Sequence, residues 1–189
     1  RDATAAVQVN TQAGTATGGG GADSLISIEG VIGSAFNDSL LGSGVDDIFY
    51  GGFGNDTMDG AGGTNLVRYF YSTGAVSVNL NTGTATGAEG NDTLLNISTL
   101  LGSIYGDTLI GNGGNNFLRG RAGDDTISGG AGIDRAAYDR ASGSVTVSLA
   151  TNSSSGADGI DTLSGIENLR GSNFADTLTG DGGANDIQG

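Results

Sequence analysis

A nine-residue pattern recurs along this chain and constrains its fold more than any other feature. In its clearest copy, residues 51–59 read Gly-Gly-Phe-Gly-Asn-Asp-Thr-Met-Asp, with glycine at positions one, two and four, Asp at position six and an apolar residue at position eight. The first six positions recur, with Asn replacing Asp in some copies, at residues 33–38, 42–47, 51–56, 60–65, 102–107, 111–116, 120–125, 129–134, 171–176 and 180–185. Repetition at a fixed short period predicts a repeat architecture in which each copy is one structural unit.

The nine-residue period also predicts the course of the backbone. Each copy has room for a six-residue loop and a three-residue strand, and two copies complete one turn of a coil, so loops two copies apart stack on the same side. The apolar residues at position eight then point inward: Leu40, Phe49, Met58, Val67, Leu109, Leu118, Ile127, Ala136, Leu178 and Ile187. We find no helical periodicity of about 3.6 residues. The chain is therefore predicted to be all-β, a right-handed parallel β-roll or β-solenoid.

A longer period overlies the first. Val76-Ser-Val-Asn-Leu80 matches Val145-Thr-Val-Ser-Leu149, 69 residues later, and the same offset relates Asp92 to Asp161. These alternating segments predict strands with one buried face between the nine-residue blocks. We expect one continuous solenoid over residues 1–189, with units at about 7–75, 76–144 and 145–189, the third truncated.

The charge balance narrows the choice of partners. The chain has 21 acidic and 7 basic residues and a net charge of −14, and each basic residue is an arginine. Nucleic acid and anionic membrane surfaces both require a basic protein face, so neither is an expected partner. No apolar run is long enough to predict membrane insertion.

The residue inventory argues against an enzyme. The absence of His, Cys and Lys removes the serine triad, the cysteine nucleophile and the Schiff-base lysine. A pair of carboxylates could still hydrolyse a glycoside, but nothing in the sequence singles out such a pair. We therefore predict a non-catalytic chain.

The Asp-containing loops instead suit calcium. Ca²⁺ takes six to eight oxygen ligands from carboxylates and backbone carbonyls, and glycine lets successive carbonyls of a loop turn towards one point. The pattern resembles the repeats-in-toxin (RTX, hemolysin-type calcium-binding) family, and residues 165–178, Gly-Ile-Glu-Asn-Leu-Arg-Gly-Ser-Asn-Phe-Ala-Asp-Thr-Leu, resemble the segment between its repeat blocks. An isolated Asp in a turn would more often be a turn former without a metal.

The resemblance implies that several ions lie between loops two copies apart. The earlier loop contributes carbonyls at positions two and four, the later loop carbonyls at positions one and three, and each loop its Asp or Asn. The implied ligand sets are Ser34, Phe36, Asp38 with Gly51, Phe53, Asp56; Ser43, Val45, Asp47 with Gly60, Gly62, Asn65; Ser103, Tyr105, Asp107 with Gly120, Ala122, Asp125; and Asn112, Gly114, Asn116 with Gly129, Ala131, Asp134. Asp176 is a further candidate ligand.

Departures from the pattern carry predictions of their own. Asn65 and Asn116 keep an oxygen but lose a charge, so their sites should bind calcium more weakly. Bulky residues at position four, such as Phe36 and Tyr105, disfavour a positive φ, so these loops should either bend differently or leave their site empty. The acidic residues outside the ten copies leave two roles open, further ions or structure: Asp23, Glu29, Asp92, Asp161 and Glu167.

The resemblance also implies a biological setting. RTX repeats fold outside a Gram-negative bacterium after type I secretion, so we expect a secreted or cell-surface protein that folds on binding calcium. An adhesin, S-layer or matrix component is the preferred interpretation. The alternatives are a non-catalytic module of a secreted epimerase, lipase or protease, and a self-assembling filament. Besides calcium, other copies of the chain and cell-surface polysaccharide are candidate partners. Tyr69, Tyr71 and Tyr138 are interpreted as packing residues, with carbohydrate stacking as the alternative.

Overall fold

The computed structural model describes residues 3–189, which form 22 short strands and no helix. None of these residues forms a helix that could span a membrane. In chain order the strands are β1 (Val7–Asn10), β2 (Thr15–Gly18), β3 (Gly21–Ser24), β4 (Gly30–Ile32), β5 (Ser39–Leu41), β6 (Ile48–Tyr50), β7 (Thr57–Asp59), β8 (Leu66–Arg68), β9 (Val76–Asn79), β10 (Thr84–Gly87), β11 (Gly90–Leu95), β12 (Thr99–Leu101), β13 (Thr108–Ile110), β14 (Phe117–Arg119), β15 (Thr126–Ser128), β16 (Arg135–Ala137), β17 (Val145–Ser148), β18 (Ser153–Gly156), β19 (Thr162–Ser164), β20 (Asn168–Arg170), β21 (Thr177–Thr179) and β22 (Ile187–Gln188).

The strands form two sheets, one of 14 strands and one of 8, and successive nine-residue blocks place their strands alternately in the two sheets. Strands two copies apart pair in parallel, as in Ser39 with Thr57 of the larger sheet and Ile48 with Leu66 of the smaller. Within the nine-residue blocks, two copies therefore make one turn of the coil, as the sequence predicts.

The core is a column of the position-eight side chains. Phe49, Met58, Val67, Leu109, Leu118 and Ala136 are completely buried between the sheets, and Leu40 and Ile127 are nearly so. Leu178 packs against this core while only partly buried, and Ile187, in the last strand, is exposed. Each short strand buries about one side chain, so stability requires that neighbouring turns stack.

The alternating segments form three-stranded meanders within the larger sheet. In the second unit, β9 and β11 both run antiparallel to β10. The meander runs backwards along the sheet, because its last strand β11 pairs with the earlier β7 and its first strand β9 pairs with the later β13. Both outer strands are parallel to their neighbours, so the parallel roll continues on either side of the single reversed strand.

The two sheets have different outer faces. On the larger sheet, Thr57, Thr93, Thr108, Thr126 and Thr162 stand at outward positions beside the buried column, and hydroxyl side chains dominate that face. On the smaller sheet the outward positions carry aliphatic, aromatic and arginine side chains, including Ile48, Tyr50, Leu66, Arg68 and Phe117. The two faces therefore offer different surface chemistry.

Candidate metal-binding loops

The four loop pairs predicted from sequence do stack on each other. In each pair the backbone N–H of the earlier Asp or Asn donates to Oδ1 of the later one, 18 residues ahead. The bonds run from Asp38 to Asp56 (2.8 Å), Asp47 to Asn65 (2.9 Å), Asp107 to Asp125 (2.7 Å) and Asn116 to Asp134 (2.7 Å). Each predicted pair of position-six residues is therefore joined by a bond from the backbone of the earlier residue to the side chain of the later one.

Most of the predicted carbonyl ligands also lie between the paired loops. At position four, the carbonyls of Phe36, Val45, Tyr105 and Gly114 lie so close to Gly54, Gly63, Gly123 and Gly132 that a Cβ there would clash. At position two, Ser34 O lies equally close to Gly52, while Ser43 O accepts a bond from Gly62 (2.9 Å) and Asn112 O one from Ala131 (3.2 Å). At position one, the carbonyls of Gly51, Gly60, Gly120 and Gly129 lie against Gly33, Gly42, Gly102 and Gly111.

The loops fall into two classes, and the first we call closed. In the closed loop 33–38, the amide and hydroxyl of Ser34 both donate to Asp38, the hydroxyl at 2.8 Å, and Val7 N adds a third bond at 2.7 Å. Ser43, Ser103 and Ser172 act in the same way on Asp47, Asp107 and Asp176. None of these four loops has a positive φ. Loops 111–116 and 180–185, with Asn112 and Asp181 at position two, also lack a positive φ and are counted as closed. The carboxylates of the Ser-containing loops thus have protein donors.

The second class, the open loops, has positive φ at positions two and four. These loops are 51–56, 60–65, 120–125 and 129–134, and φ in the first is 97° at Gly52 and 121° at Gly54. Closed loops 33–38, 42–47 and 102–107 have the bulky residues Phe36, Val45 and Tyr105 at position four and no positive φ there. As expected from sequence, these three loops bend differently from the open ones, since a bulky side chain disfavours the left-handed region. Closed loops 111–116 and 180–185 have glycine at position four, so bulk there is not the only cause.

The open loops contain carboxylate oxygens without a donor. Oδ2 of Asp56, Asp125 and Asp134 is buried and receives no hydrogen bond. Buried polar atoms almost always have a partner, and a buried anionic oxygen without one is costly. These three atoms are what a bound cation would satisfy, so the loops fit a metal ion.

Asn65 shows what happens when the open loop lacks a carboxylate. Its Nδ2 donates to Gly62 O and to Asn96 O, both at 2.9 Å, and Gly62 O is one of the carbonyls predicted to bind the ion. The Asn65 amide group therefore bonds to a carbonyl oxygen that a bound cation would also need. This arrangement is in keeping with the weaker binding expected of the Asn65 site.

Two further loops of the same kind are absent from the ten copies recognised in the sequence. Residues 87–95 read Gly-Ala-Glu-Gly-Asn-Asp-Thr-Leu-Leu and residues 156–164 read Gly-Ala-Asp-Gly-Ile-Asp-Thr-Leu-Ser, both variants of the nine-residue pattern. Asp92 and Asp161 stack on the open loops and accept bonds from Asp56 N (3.0 Å) and Asp125 N (2.9 Å). Each of these loops begins 36 residues, or four copies of the pattern, after the open loop on which it stacks. The usual separation is two copies, and the first two strands of the meander add the length of two more.

The other acidic residues outside the ten copies differ in position. Glu167 Oε2 accepts a bond from Asp134 N (2.8 Å), which places this side chain at the end of that loop stack. Asp23, which corresponds to Asp92 one unit earlier, is exposed, and so is Glu29. Of the five acidic residues outside the ten copies whose role the sequence leaves open, three therefore lie in the loop stacks: Asp92, Asp161 and Glu167.

Carboxylates consequently line up along one side of the roll, as Asp38–Asp56–Asp92 and Asp107–Asp125–Asp161. Burial raises the pKa of Asp56 to about 7; the N–H of Asp38 opposes this shift, and the carboxylates of Asp92 and Asp38 add to it. Burial likewise raises the pKa of Asp125 to about 8, with the N–H of Asp107 opposing and Asp161 adding. Ionising all three members of a row at neutral pH is therefore unfavourable without a counterion.

Tyrosines support the ends of these rows. Tyr69 and Tyr138 are buried, and their hydroxyls donate to Oδ2 of Asp92 and Asp161, both at 2.9 Å. This position agrees with the packing interpretation for both residues. Tyr71 is instead 60% exposed.

The geometry also limits the kind of metal site. In residues 3–189 no three acidic side chains converge on one point as in an all-carboxylate site. An ion between two loops would bind two carboxylates at most and take its other ligands from carbonyls. Calcium accepts such a mixed, carbonyl-rich set of oxygens.

Comparison with known protein families agrees with this chemistry. The family model of the RTX calcium-binding nonapeptide repeat (4 copies) matches residues 32–67, 101–136 and 161–189, together more than half of the chain. No curated protein matches the chain significantly. The matched segments include the ten loops in which the candidate ligands lie.

Proposed function

Since the chain belongs to the family of RTX calcium-binding nonapeptide repeats, we propose that calcium ions held between its stacked loops drive it to fold, and that the folded roll is a structural module. Repeats of this family bind Ca²⁺ and are generally non-catalytic. The observation that carries the proposal is the set of buried, donor-free Oδ2 atoms of Asp56, Asp125 and Asp134. Binding of the metal becomes folding free energy when the site does not exist in the unfolded chain.

The proposed sites differ in strength. Two pairs of loops contribute two carboxylates each, 33–38 with 51–56 and 102–107 with 120–125, and should bind most tightly. The pair containing Asn116 and Asp134 contributes one. The pair containing Asp47 and Asn65 should be weakest, because the Asn65 amide already bonds to Gly62 O. Asp92 and Asp161 add a third loop to each of the two strongest stacks.

The physical mechanism is charge neutralisation of a weakly stabilised coil. Each turn buries few apolar side chains, and its carboxylate rows repel one another, so the calcium-free chain should be largely disordered at neutral pH. Calcium removes the repulsion and joins loops that are 18 residues apart in sequence. We propose that the three 69-residue units behave as segments of one solenoid.

The cellular role we propose is that of a spacer or assembly element in a bacterial surface or extracellular protein, such as an adhesin, S-layer or matrix component. A chain that stays unfolded in a low-calcium cytosol can be exported by type I secretion and fold outside. The repetition of whole 69-residue units and the lack of His, Cys and Lys favour this role over that of an enzyme. A catalytic domain elsewhere in the same polypeptide would instead favour a module of a secreted enzyme.

The test is a calcium titration followed by far-UV circular dichroism, with magnesium as the ion control. We expect a disordered spectrum to change cooperatively to a β spectrum with Ca²⁺ and not with Mg²⁺. Asp56→Asn combined with Asp125→Asn should shift the midpoint to higher calcium, whereas the two-site control Asp23→Asn with Glu29→Gln, both exposed and outside the ten loops, should not. A β spectrum at neutral pH in EGTA that calcium leaves unchanged would overturn the proposal.

A further inference from the structure

Arginines cluster on the outer face of the smaller sheet, although the chain carries a net charge of −14. Arg68, Arg119 and Arg170 stand at the same register position on β8, β14 and β20, with Leu101 and Ala137 on the strands between them. Parallel strands lie about 4.8 Å apart, so this row presents a guanidinium about every 9.6 Å along the roll. Such regularity in an acidic protein calls for a functional explanation.

The row borders a cleft with a volume of about 300 Å³. Arg68, Arg119 and Arg140 line it together with an apolar floor of Ile48, Leu66 and Leu101. Phe70 and the exposed Tyr71 form an aromatic rim, their ring centroids 4.8 Å apart in an edge-to-face arrangement. The cleft therefore combines positive charge with flat apolar surface, and its volume is within the range of ligand sites.

The positive charge of this cluster is only partly compensated within the chain. Asp139 pairs with Arg119 (2.6 Å) and Arg170 (3.5 Å). Arg121 lies over Phe70, 4.0 Å from its ring centroid, and the carboxylates of Asp158 and Asp107 are near it. Within residues 3–189, Arg68 and Arg140 form no ion pair, and Nε of Arg68 is buried without an acceptor. Five guanidinium groups thus face three carboxylates, those of Asp139, Asp158 and Asp107.

We propose that this cleft and the arginine row bind an acidic polysaccharide, a linear chain of sugars that carry carboxylates. Arg68 and Arg140 would bind carboxylates, for which the guanidinium is geometrically suited. The apolar floor and the ring of Tyr71 would contact the C–H faces of the sugar rings. This inference goes beyond calcium-driven folding and depends on it only because the face exists in the folded roll.

The lining of the cleft favours a sugar chain over an acidic peptide. Its apolar floor of Ile48, Leu66 and Leu101 and the ring of Tyr71 suit the C–H faces of sugar rings. Poly-glutamate offers carboxylates without such ring faces, so comparing it with an oligosaccharide separates the two partners.

Isothermal titration calorimetry with short oligogalacturonates tests this inference, using protein shown by circular dichroism to be folded in calcium. Oligomers too short to gel with calcium are used, with light scattering as a check. We expect binding that weakens with salt, and no binding of neutral cello-oligosaccharides of equal length. Arg68→Gln with Arg140→Gln should weaken binding about tenfold or more, since each removes a charge-assisted bond.

The matched control is Arg135→Gln, which removes one arginine of the same face that pairs with Asp186 outside the cleft. It should change the affinity by less than about twofold. No oligogalacturonate binding by the folded protein, or equal binding by the double variant, would overturn the inference and leave the folding proposal intact. Tighter binding of poly-glutamate than of oligogalacturonate would also overturn it, in favour of an acidic peptide partner.

Discussion

Ser34 and Gly52 occupy the same position of the nine-residue pattern, and they leave the carboxylates of their loops in different environments. The serine donates its amide and hydroxyl to Asp38, whereas glycine adopts a positive φ and leaves Oδ2 of Asp56 without a donor. The residue at position two thus decides how many protein donors the carboxylate oxygens have before an ion binds. Each predicted pair combines one closed and one open loop.

Replacing Asp125 by Asn should have opposite effects with and without calcium. In calcium it removes a ligand charge and should weaken the affinity about tenfold or more. In EGTA at neutral pH it removes a buried, repelled carboxylate and should leave the residual structure unchanged or more stable. Calcium titrations and thermal melts in both conditions measure this, and an equal loss of stability in both would contradict it.

The raised pKa values predict how the calcium-free chain responds to pH. The pKa of Asp56 rises from 3.8 in the unfolded chain to about 7 in the roll, so the roll binds the proton more tightly. The stabilisation this gives is complete below the unfolded pKa and is lost as pH rises through about 7, or about 8 for Asp125.

Lowering the pH from about 8 to about 5 in calcium-free buffer should therefore increase β structure in circular dichroism. In calcium the dependence should reverse, because protons compete with the ion for the same oxygens. Asp56→Asn with Asp125→Asn should flatten the calcium-free profile. A calcium-free β signal that falls on acidification would contradict this assignment.

At the level of elements, the three-stranded meander is the feature that interrupts an otherwise regular coil. Its turn at Gly87–Gly90 leads into β11, which stacks Asp92 on the open loop 51–56. Gly90 has a φ of 139°, and a Cβ there would clash with Gly54 O. The meander therefore depends on a glycine at this contact with the loop.

Gly90→Ala should destabilise the calcium-bound roll by about 1–3 kcal/mol, through strain at a positive φ and the clash with Gly54 O. Gly113→Ala is the matched control, because a Cβ at Gly113 meets no atom and its φ is not positive. Urea unfolding in saturating calcium measures the difference. Equal stability of the two variants would contradict this prediction, because it would show that the meander turn accommodates a Cβ at residue 90 without strain.

At the scale of the whole molecule, the two sheets share one column of buried side chains that runs from Val31 to Leu169. Leu109 lies in the middle of this column and is completely buried. Solenoids distribute their stability between neighbouring repeats, so a defect acts first on the turns it touches.

Leu109→Ala should cost about 2–5 kcal/mol by opening a cavity. The loss of amide-exchange protection should be greatest in β9, β13 and β15 and decline towards both ends. Leu95→Ala, at a position that is 46% exposed, is the control and should have a small effect. A uniform loss of protection along the chain would indicate a single cooperative unit instead.

The repeat pattern by itself determined the coil, the buried column and the loop pairs, because a fixed period of nine residues places the same side chains at the same points of every turn. Local sequence also indicated which loops would bend differently, since φ preferences belong to single residues. The tertiary structure alone decided the reversed strand of the meander, the stacking of Asp92 and Asp161 on the open loops, and the arginine row on the smaller sheet. These features join residues tens of positions apart, and their pairing depends on strand register, which a local pattern does not specify.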